Sequence, residues 1–403
     1  MQKPIKNLVG QVADKENFFE RPRETKKLWD ALASGEHILF AAPRRSGKTS
    51  LLFHLQDNPK ENKILIFLEV ESVSSSVEFF KRLRDVLLQD DDLSSVGIRI
   101  GEGAKNVLRR IRGIGSDALA KIELADGEKM PPHKAFERLL GAVVKKLSDD
   151  EQLVIMIDEF AQAAQNIAEN SPQAAKEFLL AHREIRQNRA FRDKVQFLYC
   201  GSVGLEYVTE RLEASNAIND VRTVNLRPLQ REEARELIQR IIAHENYPPE
   251  KSWFTEEIIA ILLDRIRWFV PYYIQIFLDA VQTYSNDNEL TELTETSIGK
   301  AYSQMLGVRK HFVWWEERLR KAFKGNEYKF VVDVLNTTAH KTSIDASEIA
   351  NLAAKHNVEV FKPILEALKH DGYVVETGEA SGYGKLYRFV SPILQDWWRL
   401  YVA

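Results

Sequence analysis

The chain has 403 residues, a length that usually corresponds to two or three domains. Its net charge of -3 at pH 7 gives no overall attraction to nucleic acid or to an anionic membrane. No segment approaches the roughly 20 uncharged residues that a membrane helix needs, and no secretory signal is visible. The single cysteine, Cys200, excludes an internal disulfide, so we expect a cytoplasmic protein.

Short apolar or β-branched segments alternate with helical patterns in the first half of the chain. Strands that are buried on both faces of a parallel sheet appear as such continuous apolar runs. The alternation predicts a three-layer α/β domain with a parallel five-stranded sheet. The predicted strands are 37–42, 63–70, 152–157, 195–200 and 220–226, and the predicted helices between them are 48–56, 77–89, 133–146 and 174–187.

The pattern changes twice, which predicts three domains. Residues 1–229 form the α/β domain, with an insertion at about 90–132 where glycines and an acidic run interrupt the alternation and a small strand is expected at 118–124. Residues 230–323 show only helical patterns and predict a helical lid domain. Residues 324–403 contain three helical stretches and a two-stranded hairpin, an arrangement that predicts a winged helix.

A phosphate-binding loop is predicted between the first strand and the following helix. Backbone N–H groups of such a loop face the phosphates, and the helix dipole adds positive charge there. Lys48 is expected to reach the β- and γ-phosphates, and the Thr49 hydroxyl to ligate Mg²⁺. Alanine replaces the usual first glycine of the motif. The predicted nucleotide-binding residues of the loop are Ala42, Pro43, Arg44, Arg45, Ser46, Gly47, Lys48, Thr49 and Ser50.

A second motif is the apolar strand 152–157, which is followed by Asp158 and Glu159. Asp158 is expected to hold Mg²⁺, and Glu159 to orient and polarise a water for attack on the γ-phosphate. Lys48 and Glu159 are therefore predicted catalytic residues. No N-K-x-D guanine-reading motif occurs, so the predicted ligands are ATP or ADP with Mg²⁺, and the predicted activity is slow, regulatory ATP hydrolysis.

Two further catalytic elements have competing interpretations. Ser202 follows the fourth strand, where it is either a sensor of the γ-phosphate beside Asp158 or a helix cap. An arginine finger has several candidates, each of which is otherwise a solvated or locally paired arginine. These candidates are Arg183, Arg186, Arg189, Arg192, Arg211 and Arg222, and Arg44 and Arg45 lie within the loop itself.

The motifs resemble the archaeal-ATPase-like branch of the STAND NTPases, within the AAA+ superfamily. The resemblance rests on segments 18–24, 42–51, 157–159, 201–202, 226–229 and 387–398. It implies a nucleotide domain, a helical lid and a winged helix that act together as an ATP-dependent switch. It also implies that Pro271 of the lid contacts the adenine, although the glycine that usually precedes this proline is missing here.

Charge decides how we interpret the C-terminal region. From residue 326 onward eight basic residues face ten acidic ones, which is unfavourable for a DNA-reading surface. We therefore expect an ATP-dependent molecular switch that binds a protein partner or assembles with itself. An ATP-gated DNA-binding protein of the origin-recognition or transposition type is the alternative, supported by the basic stretch 309–324. A nucleotide-binding scaffold without useful turnover is a third hypothesis.

Overall fold

The computed structural model describes residues 3–13, 15–88, 98–100, 130–201, 204–244, 251–378 and 385–403. The chain divides into two compact units. One unit comprises Glu20–Leu226, and the other combines Met1–Phe19 with Arg227–Ala403. The chain therefore starts in one unit, passes through the other and returns to the first.

The Glu20–Leu226 unit is built on one sheet. Its strands are β1 (His37–Ala41), β2 (Lys63–Glu69), β3 (Ile98–Ile100), β4 (Gln152–Asp158), β5 (Val195–Gly201) and β6 (Val221–Asn225). They lie in the order β3-β2-β4-β5-β1-β6. All pairings are parallel except the one between β2 and β3. The predicted five-stranded parallel sheet is confirmed.

The central strand β4 shows why the sequence predicts this sheet so closely. It lies between β2 and β5, and every side chain from Leu153 to Asp158 is buried. A strand covered on both faces needs an unbroken apolar run, which is the pattern that the sequence shows. All five predicted strands end within one residue of the observed ends. The antiparallel β3 was not predicted, because three residues are too few for a recognisable pattern, and the strand predicted at 118–124 lies outside the described residues.

Helices cover the sheet between these strands. They are α1 (Pro22–Ala33), α2 (Lys48–Asp57), α3 (Ser76–Leu88), α4 (Pro132–Val144), α5 (Phe160–Asn170), α6 (Pro172–Gln187) and α7 (Leu205–Arg211). The sequence analysis does not identify α5. Its buried face consists of Phe160, Ile167 and three alanines, and alanine gives a weak hydrophobic signal. This helix begins directly after the acidic pair at the end of β4.

After Leu226 the chain returns to the second unit, and the elements that follow first are α-helices. They are α8 (Arg231–Ile242), α9 (Glu256–Ile266), α10 (Pro271–Asp287), α11 (Glu295–Gly307) and α12 (Val313–Ala322). The N-terminal segment packs on this unit. Ile5 is buried and its N–H donates to the Arg240 carbonyl at 3.0 Å, while Asn7 donates to the Gln275 carbonyl at 3.1 Å.

The C-terminal part of this unit contains α13 (Gly325–Lys341), β7 (Ile344–Asp345), α14 (Ala346–Lys355), α15 (Lys362–His370), β8 (Val374–Thr377), β9 (Leu386–Phe389) and α16 (Pro392–Tyr401). The expected hairpin forms from β8 and β9, and the short β7 adds a third antiparallel strand in the order β7-β9-β8. Aromatic side chains join this part to the preceding helices. Trp397 stacks on Phe312 with ring centroids 5.6 Å apart, and the Tyr373 hydroxyl donates to the Trp315 carbonyl at 2.7 Å.

Candidate functional site

Residues Ala42 to Gly47 form a compact loop between β1 and α2. The Ser46 hydroxyl donates to the Pro43 carbonyl at 2.6 Å and closes the turn. Gly47 precedes the first residue of α2 with φ of 91°, and Arg45 has φ of 65°. Glycine adopts a positive φ without steric strain, which explains the glycine at position 47. The loop therefore ends at a helix N-terminus, where backbone N–H groups are available to an anion.

The Lys48 side chain folds back into this loop. Its ammonium donates to the carbonyls of Ala42 at 3.1 Å and Pro43 at 3.3 Å, and the residue is only 6% exposed. A lysine ammonium carries three N–H groups, so these two carbonyls hold the charge inside the loop without satisfying all of its donors. The positive charge is thus positioned where the loop would surround a phosphate.

The two sequence motifs meet through Thr49 and Asp158. The Thr49 hydroxyl donates to one carboxylate oxygen of Asp158 at 2.7 Å, although the residues lie 109 positions apart in the chain. The other oxygen accepts from the backbone N–H of Glu159 at 3.0 Å. The contact places the first turn of α2 directly against the end of β4.

Asp158 is a buried acid in an electrostatically unfavourable position. Burial raises the pKa of its carboxyl, and the negative charge of Glu159 raises it further. The Lys48 charge and hydrogen bonds from Thr49 and from the Cys200 thiol act in the opposite direction. A cation beside this carboxylate would therefore be stabilised.

Glu159 has an unusual backbone conformation. Its φ of 59° and ψ of 33° lie in the left-handed region, at the N-terminal cap of α5. A side chain with a Cβ atom is disfavoured there, and such strain is concentrated at functional sites. The turn directs the chain out of β4 and into α5 within a single residue.

A third carboxylate lies at the same edge of the sheet. Glu69, the last residue of β2, is the register partner of Asp158, so that both side chains are on the same face of the sheet. Burial raises the pKa of Glu69, and the charges of Asp158, Glu71 and Glu159 add to this effect. Sequence reasoning missed Glu69, because only the pairing of β2 with β4 brings it beside Asp158. The one available signal is its place at the carboxyl end of an apolar strand.

The donor set fits Mg²⁺ and a polyphosphate. Within the described ranges no group of three or more His, Cys, Asp or Glu residues is arranged to hold a metal ion. The hydroxyl of Thr49 and the carboxylate of Asp158 are the oxygen ligands that Mg²⁺ prefers, and Mg²⁺ usually takes only one or two protein ligands with phosphates and waters. These two residues would hold the ion, while Lys48 and the N-terminus of α2 would bind the phosphates.

The remaining predicted residues differ in what the structure describes. Ser202 lies outside the described residues, but its strand β5 ends at Gly201, which pairs with Ala41 of β1. Pro271 belongs to the other compact unit, where it is the first residue of α10. Its contact with adenine stays a prediction, and so does the sensor role of Ser202.

Two arginine-finger candidates have structural roles at the opposite edge of the sheet. Arg186 is 3% exposed and forms a bidentate ion pair with Asp220, at 3.0 and 2.8 Å. Arg222 pairs with Glu36 at 2.6 Å near the start of β1. Both arginines therefore lie at the amino end of the strands, away from the phosphate loop. The finger assignments of Arg183, Arg189, Arg192 and Arg211 stay predictions.

No helix in the described part of the chain is long and apolar enough to cross a membrane. No protein-family model matches the sequence, and no curated protein sequence is significantly similar to it.

Solved structures do resemble this chain. A Walker-type ATPase of Pyrococcus abyssi matches with a TM-score of 0.62 and 17% identity, covering 98% of this chain and 99% of its own. The ORC2 protein of Aeropyrum pernix, solved in ADPNP and ADP complexes, matches with a TM-score of 0.54 and 13% identity, covering 93% and 92%. At these identities the likeness concerns the fold. The fold of this chain, an α/β unit with a helical C-terminal region, is the fold of these two structures.

Proposed function

We propose that this protein binds ATP with Mg²⁺ in the loop of residues 42–50 and hydrolyses it slowly to ADP and phosphate. The observation that carries the proposal is the 2.7 Å contact between Thr49 and Asp158. It joins a helix N-terminus that suits phosphate to a buried carboxylate that suits a cation. A chance resemblance of either motif alone would not bring the two together.

Each residue of the site has a separate role in binding or hydrolysis. Lys48 and the backbone N–H groups at the start of α2 bind and orient the β- and γ-phosphates. Thr49 and Asp158 hold Mg²⁺, which neutralises phosphate charge when it is bound. Glu159 accepts a hydrogen bond from the attacking water and orients it toward the γ-phosphate. The assignments of Ser202 as a sensor and of Pro271 as an adenine contact belong to the same proposal.

Hydrolysis would serve a molecular switch of the STAND type, with a helical lid at 230–323 and a winged helix at 324–403. The order of α13, α14, α15, β8 and β9 supports the winged-helix assignment. Binding and loss of the γ-phosphate would bias the arrangement of these domains and so control a protein partner or self-assembly.

Replacing Lys48 tests the site directly. In Lys48→Ala we expect ATP affinity to fall by at least about 100-fold, because charge-assisted hydrogen bonds to phosphate are among the strongest in proteins. Lys145→Ala, at the exposed C-terminal cap of α4, is the matched control and should bind normally. Isothermal calorimetry with ATP and Mg²⁺ measures both. Unchanged affinity in Lys48→Ala would refute the site.

The alternative, an ATP-gated DNA-binding protein, is supported by the fold similarity to ORC2. Side-chain pairing argues against it. Arg318 of the basic stretch is 13% exposed at its side chain and pairs with Asp371 at 2.7 Å. Lys369 and Lys385 both pair with Glu376. These ion pairs reduce the positive charge that the three side chains offer to DNA phosphates.

Fluorescence anisotropy with duplex DNA, ATP and Mg²⁺ at several salt concentrations separates the two functions. A switch without a DNA-reading surface should bind DNA no better than micromolar, with a log–log salt slope shallower than about 4. Tight binding with a steep slope would favour the alternative.

A further inference from the structure

We infer that Phe160 is a positioning residue, which holds Glu159 in its left-handed conformation and thereby places the water-orienting carboxylate. The inference rests on the proposed function, because it concerns how Glu159 is aimed. Glu159 is strained at φ of 59°, and a strained residue persists only where its surroundings hold it. Phe160 is the next residue, and its side chain is the first anchor of α5.

The Phe160 side chain is fixed in an aromatic cluster from three other elements. It is 2% exposed, and its ring centroid lies 4.5 Å from Tyr199, 4.8 Å from His182, 5.4 Å from Phe178 and 5.8 Å from Phe79. These rings belong to β5, α6 and α3. We call this group, with Phe160 itself, the aromatic socket. Contacts from several directions leave the Phe160 ring little freedom to rotate or withdraw.

Hydrogen bonds keep the socket rigid. Arg186, anchored by Asp220, donates to the Tyr199 hydroxyl at 3.0 Å, and that hydroxyl lies 3.2 Å from Nδ1 of His182. The Tyr199 hydroxyl therefore links the Arg186 guanidinium to the His182 imidazole. Burial and the nearby Arg186 charge hold the pKa of His182 well below its usual range, which keeps the ring neutral. The socket therefore stays uncharged and closely packed.

A single peptide bond joins Phe160 of the socket to Glu159, the residue that orients the water. If the Phe160 ring is lost, α5 is free to shift, and Glu159 relaxes from the left-handed region toward an unstrained conformation. Its carboxylate then moves relative to the phosphate loop. Lys48, Thr49 and Asp158 are held by contacts that do not involve Phe160, so nucleotide binding should persist.

Phe160→Leu is the variant that tests this role, and Phe136→Leu is its control. Both phenylalanines are 2% exposed in the same compact unit, but Phe136 lies on α4 and is not a member of the aromatic socket. Only Phe160 adjoins Glu159. We expect turnover under saturating ATP to fall by about 10-fold or more in Phe160→Leu, because small misplacements of a catalytic group are costly. Phe136→Leu should keep turnover within about two-fold, and both should keep ATP affinity.

A double-mutant cycle with Glu159→Gln separates this inference from the proposed function. If Phe160 acts through Glu159, Phe160→Leu should cause no further loss of turnover once Glu159→Gln is present. Equal losses in Phe160→Leu and Phe136→Leu, or an additive loss in the double variant, would overturn the inference and leave the function intact. Normal turnover in Glu159→Gln would instead refute the assigned role of Glu159, and the inference with it. If Phe160→Leu does not fold, Phe160→Met retains more of the side-chain volume and undergoes the same comparison.

Discussion

The central sheet has an amino edge, where its parallel strands begin, and a carboxyl edge, where they end. These two edges differ in the partners of their charged side chains. At the amino ends of the strands, buried charges have complete sets of partners. Arg186 makes a bidentate pair with Asp220, and the Lys63 ammonium donates to Gln196 at 2.8 Å, to the Leu32 carbonyl at 2.7 Å and to Gln152. Each charge at this edge is fixed by groups of the protein itself.

At the carboxyl ends, the same sheet brings several carboxylates close together. Glu69, Asp158 and Glu159 lie together, and repulsion between them raises the pKa values of Glu69 and Asp158 beyond the effect of burial. The ammonium of Lys48 is held by backbone carbonyls instead of a carboxylate. Glu159 also has a strained backbone, whereas the left-handed residues just before β1 and β2, at the opposite edge, include Gly35 and Asn62, which tolerate this conformation.

This difference indicates that the charged groups of the amino edge stabilise the fold, whereas those of the carboxyl edge suit a ligand. Repulsion between carboxylates lowers the stability of the fold at the carboxyl ends, and a bound cation would relieve it. The comparison predicts opposite responses to substitution: removing a charge should destabilise the amino edge and stabilise the carboxyl edge.

The largest expected effect comes from breaking the Arg186–Asp220 pair. Asp220→Ala leaves a buried guanidinium without its carboxylate, which typically costs about 3 to 5 kcal/mol of unfolding free energy. Glu36→Ala breaks the neighbouring pair with Arg222, whose side chains are half exposed, and should cost less than about 1 kcal/mol. Hydrogen exchange of the β5 amides at pH 7 measures both losses. Similar losses in the two variants would contradict the claim that the amino edge depends on Arg186.

Acid should weaken the amino edge through His37. Burial lowers the pKa of His37 to about 4, with a smaller contribution from the Arg186 charge, and its Nδ1 accepts from the Phe197 N–H at 3.1 Å. Between pH 6.5 and about 4, His37 binds a proton in the unfolded chain but not in the folded chain. The free energy of unfolding therefore falls as the pH falls. At about 1.4 kcal/mol per pKa unit, the loss attributable to His37 approaches about 3 kcal/mol.

Urea denaturation at pH 7.0, 5.5 and 4.5 tests this pH dependence. His37→Asn keeps an acceptor near the same position but cannot be protonated, so its stability should fall less with acid than that of the parent. The exposed His340→Asn serves as the control and should follow the parent. An unchanged acid response in His37→Asn would assign the loss to other groups.

The predictability of this molecule differs between local and non-local features. The phosphate loop and the acidic pair were identified because each is a contiguous motif at a strand end. The proximity of Glu69 to Asp158 depends on which strands are neighbours, and no local pattern encodes that pairing. Strands β3 and β7 have only three and two residues, too short for a periodic signal. The packing of Ile5 against Arg240 joins residues more than 230 positions apart, which only the tertiary fold determines.

Neutralising Asp158 should have a smaller effect on stability than Asp220→Ala or acid, and the opposite sign. Burial and repulsion raise the pKa of its carboxyl, so the negative charge of Asp158 reduces the stability of the fold. Asp158→Asn keeps the shape of the side chain. Its amide oxygen can accept from the Glu159 N–H, and its NH₂ group can donate to the Thr49 hydroxyl. The free energy of unfolding should therefore rise by about 1 kcal/mol. Such gains are common where a substitution removes an unfavourable charge from a functional site.

The same variant should lose the Mg²⁺ dependence of ATP binding, because a neutral amide is a poorer ligand for a hard cation than a carboxylate. Asp150→Asn, at an exposed position before β4, should change neither property. Hydrogen exchange of the β4 amides and calorimetry with and without Mg²⁺ measure the two outcomes in one set of proteins. A gain in stability together with a loss of Mg²⁺ dependence would mean that Asp158 contributes to Mg²⁺ binding and lowers the stability of the fold. A loss of stability comparable to that of Asp220→Ala would mean that the two edges do not differ, and that Asp158 serves mainly to join β4 to α2.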